Sequence, residues 1–402
     1  MRKGLIPTAV LTALLASGAL AAPRHETGTL ADGATYVIDV PEVWNGTLLL
    51  FSHGYARGPA NPAQNAPGEA VKSLLLTKGY ALAGSSNAST GWALEDTVPD
   101  QLATLDAFGA TVGKPKRALA WGSSMGGLAT MALIEGHPER FDGALPMCGS
   151  VGGAVAMMNA AFDAAFAFKT LLAPDLKLVG GVDDRAVAER ANAVLAQARQ
   201  TPQGRARLAL VAALAQLPGA TLDEQLKSFV MGVFFPRSDQ ERRAGGVFSW
   251  NSGVDYRAQV KATGKREALT AAYGQAGLNL DKDLAALNAA PRQGADPKAV
   301  AYLTAHYVAT GALSKPVLSL HTTDDPLTSS ANEGTYAAKV AAKGKSKLLR
   351  QVFVARGGHC AFQPEEMAAA VQVLEDRVET GAWPALPRAP FVVFKPERLL
   401  RP

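Results

Sequence analysis

An α/β architecture is what this sequence predicts: a mostly parallel sheet flanked by helices, with a large and mainly helical insertion. Three observations carry that reading. Short apolar runs alternate with amphipathic stretches from Thr27 to about Ser150, the rhythm disappears from there to about Lys315, and it resumes from Pro316 to about Thr380. The chain therefore divides into a leader over 1–21, a core contributed by 22–150 and 314–402, and an insertion over 151–313.

The leader reads Met-Arg-Lys, then an apolar stretch from Leu5 to Leu15, then small residues up to Ala21. A positive start, an apolar run too short to span a bilayer and an Ala-x-Ala site predict a signal peptide cleaved after Ala21, and hence a secreted protein. No later apolar run is expected to cross a membrane. Loss of Arg2 and Lys3 lowers the net charge from +5 to +3. So weak an excess predicts no nucleic-acid footprint.

Thr47 to Phe51 is a continuous apolar run, as suits a strand buried on both faces, and it ends at Ser52-His53-Gly54-Tyr55. A helix follows over about 67–78, then a strand over 80–85. Leu102, Leu105, Phe108 and Val112 recur at helical spacing before a strand at 117–121. Strands joined through helices in this way pair in parallel by right-handed crossovers. A helix from Met125 stops at Gly136-His137-Pro138, and a strand at 143–148 follows. The insertion is Ala-, Leu- and Gln-rich, with amphipathic pieces around 185–200, 205–217, 222–230, 266–273 and 298–310. Beyond it come a strand at 316–320 and a helix opened by Ser330, with Glu333 completing a capping box. A strand at 348–354, a helix at 364–380 and a basic, proline-rich tail laid over the surface complete the chain.

Gly122-Ser123-Ser124-Met125-Gly126 matches G-x-S-x-G at a strand-to-helix junction, where the turn is so sharp that only small residues fit beside the serine. Ser124 is the candidate nucleophile. A serine hydroxyl needs a base, and among the six histidines only His359, in Arg356-Gly357-Gly358-His359-Cys360, sits in a loop after the last long strand. The orienting carboxylate belongs near the end of the strand before it, where Asp324 and Asp325 are adjacent. Asp325 is preferred because Pro326 stiffens the turn, with Asp324 as the alternative. Two donors for a developing oxyanion are expected from the backbone N–H groups of Met125 and Tyr55. His53 reads as a brace for the Tyr55 loop. His321 beside two aspartates lacks further ligands at metal spacing, so no metal is expected.

The elements SHGY, WGSSMGG, HPERFDGALPMCG, HTTDDPL and GGHC, in this order, resemble the α/β-hydrolase superfamily over about half of the chain, the two core blocks. Within it the sequence is similar to secreted bacterial hydrolases grouped with prolyl-oligopeptidase-like and esterase families. That resemblance implies hydrolysis of an ester or amide through an acyl-enzyme, with no cofactor. The insertion resembles the cap domains that enter this fold at the same point, and its aromatic residues imply an apolar pocket, with Trp92, Phe234 and Trp250 as candidate substrate contacts. Tannase and feruloyl-esterase relatives also carry a cysteine after the histidine, but their partner cysteine precedes the serine, where this chain has Ser123. In this fold the positions of Cys148 and Cys360 are close, so those two are expected to form a disulfide. The expected partner is a small-molecule or polymeric ester, with a prolyl-oligopeptidase-type peptidase or a non-catalytic binding protein as alternatives.

Overall fold

The computed structural model describes residues 22–56, 58–386 and 391–401; the leader over 1–21 lies outside them. Among the described residues nine strands form one sheet: β1 (Arg24–Thr29), β2 (Thr35–Val40), β3 (Thr47–Ser52), β4 (Ala81–Ser85), β5 (Arg117–Ser123), β6 (Gly143–Met147), β7 (Val317–Asp324), β8 (Leu349–Gly357) and β9 (Phe391–Val392). Their order is β1-β2-β4-β3-β5-β6-β7-β8-β9. The run from β4 to β8 is parallel, and β1, β2 and β9 are antiparallel additions at the two edges. This mostly parallel sheet flanked by helices is the α/β-hydrolase fold.

Alternation along β3 shows how the layers form. Leu49 and Phe51 face the helices Glu69–Thr77 and Pro364–Thr380 through Val71, Leu75, Met367 and Val371. Leu48 and Leu50 face the opposite layer, with Leu105, Phe108, Met131, Ile134 and Tyr336. Both sides of the strand are dry, which is why its centre, Leu48 to Phe51, is apolar throughout. Each such leucine contributes roughly 2 kcal/mol through burial.

Three features depart from the sequence expectations. The β1–β2 hairpin was not foreseen: β1 is exposed along almost its whole length and shows no apolar alternation. Ser330 makes no capping hydrogen bond, and its capping box is absent. Glu333 instead turns into the sheet, where its carboxylate accepts the Ser319 hydroxyl at 2.6 Å and the Gln351 amide at 2.6 Å. Segment 391–401 is more than a surface strap. After β9 it buries Leu399 among Ala156, Ala160 and Ala331, and it delivers Arg401 to the buried Asp163, with Nη1 3.0 Å from Oδ2.

Between β6 and β7 the chain is helical, from Ala154–Leu172 to Pro297–Tyr307, around a separate apolar core that includes Phe168, Leu208, Leu210, Phe229, Tyr256 and Tyr273. The helix Ala154–Leu172 is long and apolar enough to cross a membrane by length and composition, although Asn159, Asp163 and Lys169 interrupt its apolar run. Here it packs as the centre of the insertion, through Phe162, Phe166 and Phe168.

Candidate active site

Ser124 sits where β5 becomes the helix Met125–Gly136, in a left-handed backbone conformation with φ 59° and ψ −121°. A non-glycine residue there is strained, and the strain persists because the surroundings hold the turn. The Ser124 N–H donates to the Met147 carbonyl at 2.9 Å, and the Gly127 N–H donates back to the Ser124 carbonyl at 2.9 Å. Both glycines of the motif are forced by crowding. A Cβ on Gly126 would lie 1.9 Å from the Ser52 carbonyl oxygen, and one on Gly122 would lie 2.4 Å from that of Gly126. The serine is thereby lifted clear of the sheet edge.

The structure brings Ser124, His359 and Asp325 into one hydrogen-bonded line. Ser124 Oγ is 2.8 Å from His359 Nε2, and His359 Nδ1 is 2.8 Å from Asp325 Oδ2. A carboxylate can only accept, so Nδ1 carries the proton and Nε2 is left to accept from the serine. Asp325 is fully buried, and its Oδ1 also accepts the N–H groups of Leu327 at 2.8 Å and Thr328 at 3.0 Å. Burial pushes this carboxyl up, but the His359 hydrogen bond and the neighbouring imidazoles hold it below the ordinary aspartate range. Asp324 does not join the line: its exposed carboxylate accepts the Thr323 hydroxyl at 2.8 Å.

Gly54 follows β3 and lies against the nucleophile turn; a Cβ there would stand 3.3 Å from Ser124 Cβ. That contact carries the Gly54–Tyr55 backbone past Ser124. Met125 opens its helix, so its N–H has no partner within the helix. His53 braces the loop, with Nδ1 2.7 Å from the Gly54 carbonyl and Nε2 3.1 Å from that of Ser86.

A pocket of about 970 Å³ opens onto Ser124 and His359. Gly54, Tyr55, Leu327 and Cys360 form its core side, Val230, Met231, Phe234 and Phe235 its insertion side, with Asp184 and Arg185 at one margin. Phe234 thus lines the pocket. Trp92 does not: it is buried behind the wall, its ring 6.1 Å from both Tyr55 and Phe235. Trp250 is elsewhere, its ring under the Arg401 guanidinium at 5.2 Å and its carbonyl accepting from Arg401. An aromatic cluster in sequence marks rings that will be buried without telling which ones face the cavity. Gly54, Leu327 and Thr328 were not foreseen at the site, although Gly54 lies between His53 and Tyr55, and Leu327 and Thr328 lie two and three residues after Asp325.

Cys148 and Cys360 form a disulfide with a Cα–Cα distance of 5.3 Å, and Cys360 Sγ is 3.5 Å from His359 Nε2. The bridge joins residues 212 apart and ties the histidine loop to the end of β6. Removing it by Cys148→Ser with Cys360→Ser is expected to cost up to ~5 kcal/mol by loop-closure entropy. Thermal unfolding followed by circular dichroism should show a clear fall in Tm, and an unchanged Tm would refute it. Among the described residues no group of three or more His, Cys, Asp or Glu is arranged to hold a metal ion.

Residues 84–173 match the prolyl oligopeptidase family. The chain is 28% identical, over 90% of its length and 88% of the relative's, to an o-phthalyl amidase of Xanthobacter agilis. Among solved structures it is similar to feruloyl esterase B from Aspergillus oryzae, with a TM-score of 0.44, 16% identity, and coverage of 92% of this chain and 84% of that one. It is also similar to an acylaminoacyl peptidase from Pyrococcus horikoshii, with a TM-score of 0.41, 12% identity and 89% of this chain covered; it spans only 41% of that protein. The fold and the family match over residues 84–173 agree on a serine hydrolase of the α/β-hydrolase fold.

Proposed function

We propose that this chain is an exported enzyme that cleaves carboxylic esters through an acyl-enzyme on Ser124. The observation that carries the proposal is the unbroken line from Ser124 Oγ to His359 to Asp325, on the wall of a largely apolar pocket. In the first half-reaction the Ser124 proton passes to His359 Nε2 as Oγ bonds to the carbonyl carbon. The Met125 and Tyr55 N–H groups receive the oxyanion. Collapse of that intermediate breaks the bond to the leaving alcohol, which takes the proton from His359. Water then repeats the sequence and frees the acid. The Asp325 carboxylate stabilises the imidazolium present in each intermediate.

The pocket's apolar lining favours an uncharged aliphatic or aromatic acyl group. The disulfide agrees with an oxidising compartment and so with cleavage of the leader over 1–21. A second reading, amide hydrolysis by the same relay, is favoured by the likeness to an amidase along nearly the whole chain. Matched esters and anilides of benzoic and short aliphatic acids separate the two. Ester turnover that disappears in Ser124→Ala is expected; cleavage of anilides alone would replace the first reading by the second. Failure of a fluorophosphonate probe to label Ser124 in folded protein would end both.

A further inference from the structure

We infer that Thr328 is a positioning residue: its hydroxyl ties the Asp325–His359 pair to the backbone of the half-cystine Cys148, an inference that rests on Ser124 being the nucleophile. Thr328 is buried, and its Oγ1 lies 2.8 Å from the Cys148 carbonyl, 3.1 Å from Asp325 Oδ2 and 3.3 Å from His359 Nδ1. Its own N–H donates to the other carboxylate oxygen at 3.0 Å. One residue therefore touches both oxygens of the acid and the ring nitrogen that the acid orients.

The hydroxyl has one proton and two lone pairs, while the carbonyl and the carboxylate can only accept. Two settings follow. With its proton on the shorter contact, to Cys148, Oγ1 offers a lone pair to Nδ1–H as a second acceptor beside the carboxylate. With its proton on Oδ2, it spreads the carboxylate's charge and fixes that oxygen's direction. In the first setting the hydroxyl supports the ring when it becomes a cation, and in the second it prevents the carboxylate from rotating away. A methyl group in the same space does neither, yet fills it equally well. The β-branched side chain also limits the rotor to few orientations, which suits a clamp.

The test compares Thr328→Val, which keeps the shape, with Thr328→Ser, which keeps the hydroxyl. Turnover of an ester already shown to require Ser124 is measured together with Tm. Loss of one hydrogen bond to a charged group predicts a fall in kcat of ~10- to 100-fold for T328V, with KM changed less than about two-fold. T328S should return kcat to within about five-fold of the parent. The low-field proton resonance of His359 Nδ1–H should persist in T328S and shift or broaden in T328V. Should T328V fail to fold, T328A takes its place in the comparison. An unchanged kcat in the hydroxyl-free variant, equal losses in T328V and T328S, or a change in KM alone would each overturn the inference. Parental turnover in Ser124→Ala would instead overturn the reading of the site on which it stands.

Discussion

Replacing Ser124 by alanine is expected to lower kcat by roughly a million-fold, with thermal stability left almost unchanged. The second half of that expectation comes from the backbone. At φ 59° the strain at this position arises from having a Cβ at all, and alanine keeps the Cβ. The crowding that holds the turn belongs to Gly122 and Gly126, which the variant leaves alone. His359→Ala should lose about as much, and the double variant little more than either, since serine and base act as one unit. Single-turnover assays of purified variants on an activated ester give the check. A Ser124→Ala protein retaining a tenth of the parental rate would show that the acyl group is never transferred to this hydroxyl.

Asp325→Asn is expected to cost about ten-thousand-fold in kcat, against no more than a few-fold for Asp324→Asn. The two differ only in what their side chains meet. Asp325 is sealed from water with Nδ1 of His359 against its Oδ2, whereas Asp324 points to solvent and takes a threonine hydroxyl. An asparagine at 325 can present its NH2 to the ring, which then places its proton on Nε2 and loses the acceptor that Ser124 requires. Because the Asp325 carboxyl is held below the ordinary range, it remains charged wherever a neutral imidazole can act as base. The acid limb of the parental pH profile should therefore not report the titration of Asp325. Steady-state rates of the two asparagine variants decide the assignment: equal losses would show that the wrong carboxylate has been chosen.

How much of this was legible in the sequence depends on how local each determinant is. The central strands announced themselves because burial on both faces leaves an unbroken apolar run, as in Thr47–Ser52. The meeting of Ser124 with His359 followed from two loops that leave the same sheet edge, each crowded with glycine. Asp324 and Asp325 were harder, since neighbours at a strand's end point in opposite directions, and Pro326 supplied only a hint. Trp92 and Trp250 lie off the pocket lining for a different reason: whether a ring faces a cavity depends on packing between segments far apart in the chain. β1 left no signal because an exposed edge strand needs no apolar pattern.

The bond between Asp163 and Arg401 spans 238 residues of sequence. On a ribosome, the helices around Asp163 emerge long before their counter-ion exists. Until Arg401 has been made and has crossed the core, that carboxylate must either keep contact with water or take up a proton. The interior of the insertion is therefore completed by a residue from the far end of the chain, so the two parts cannot close independently of each other.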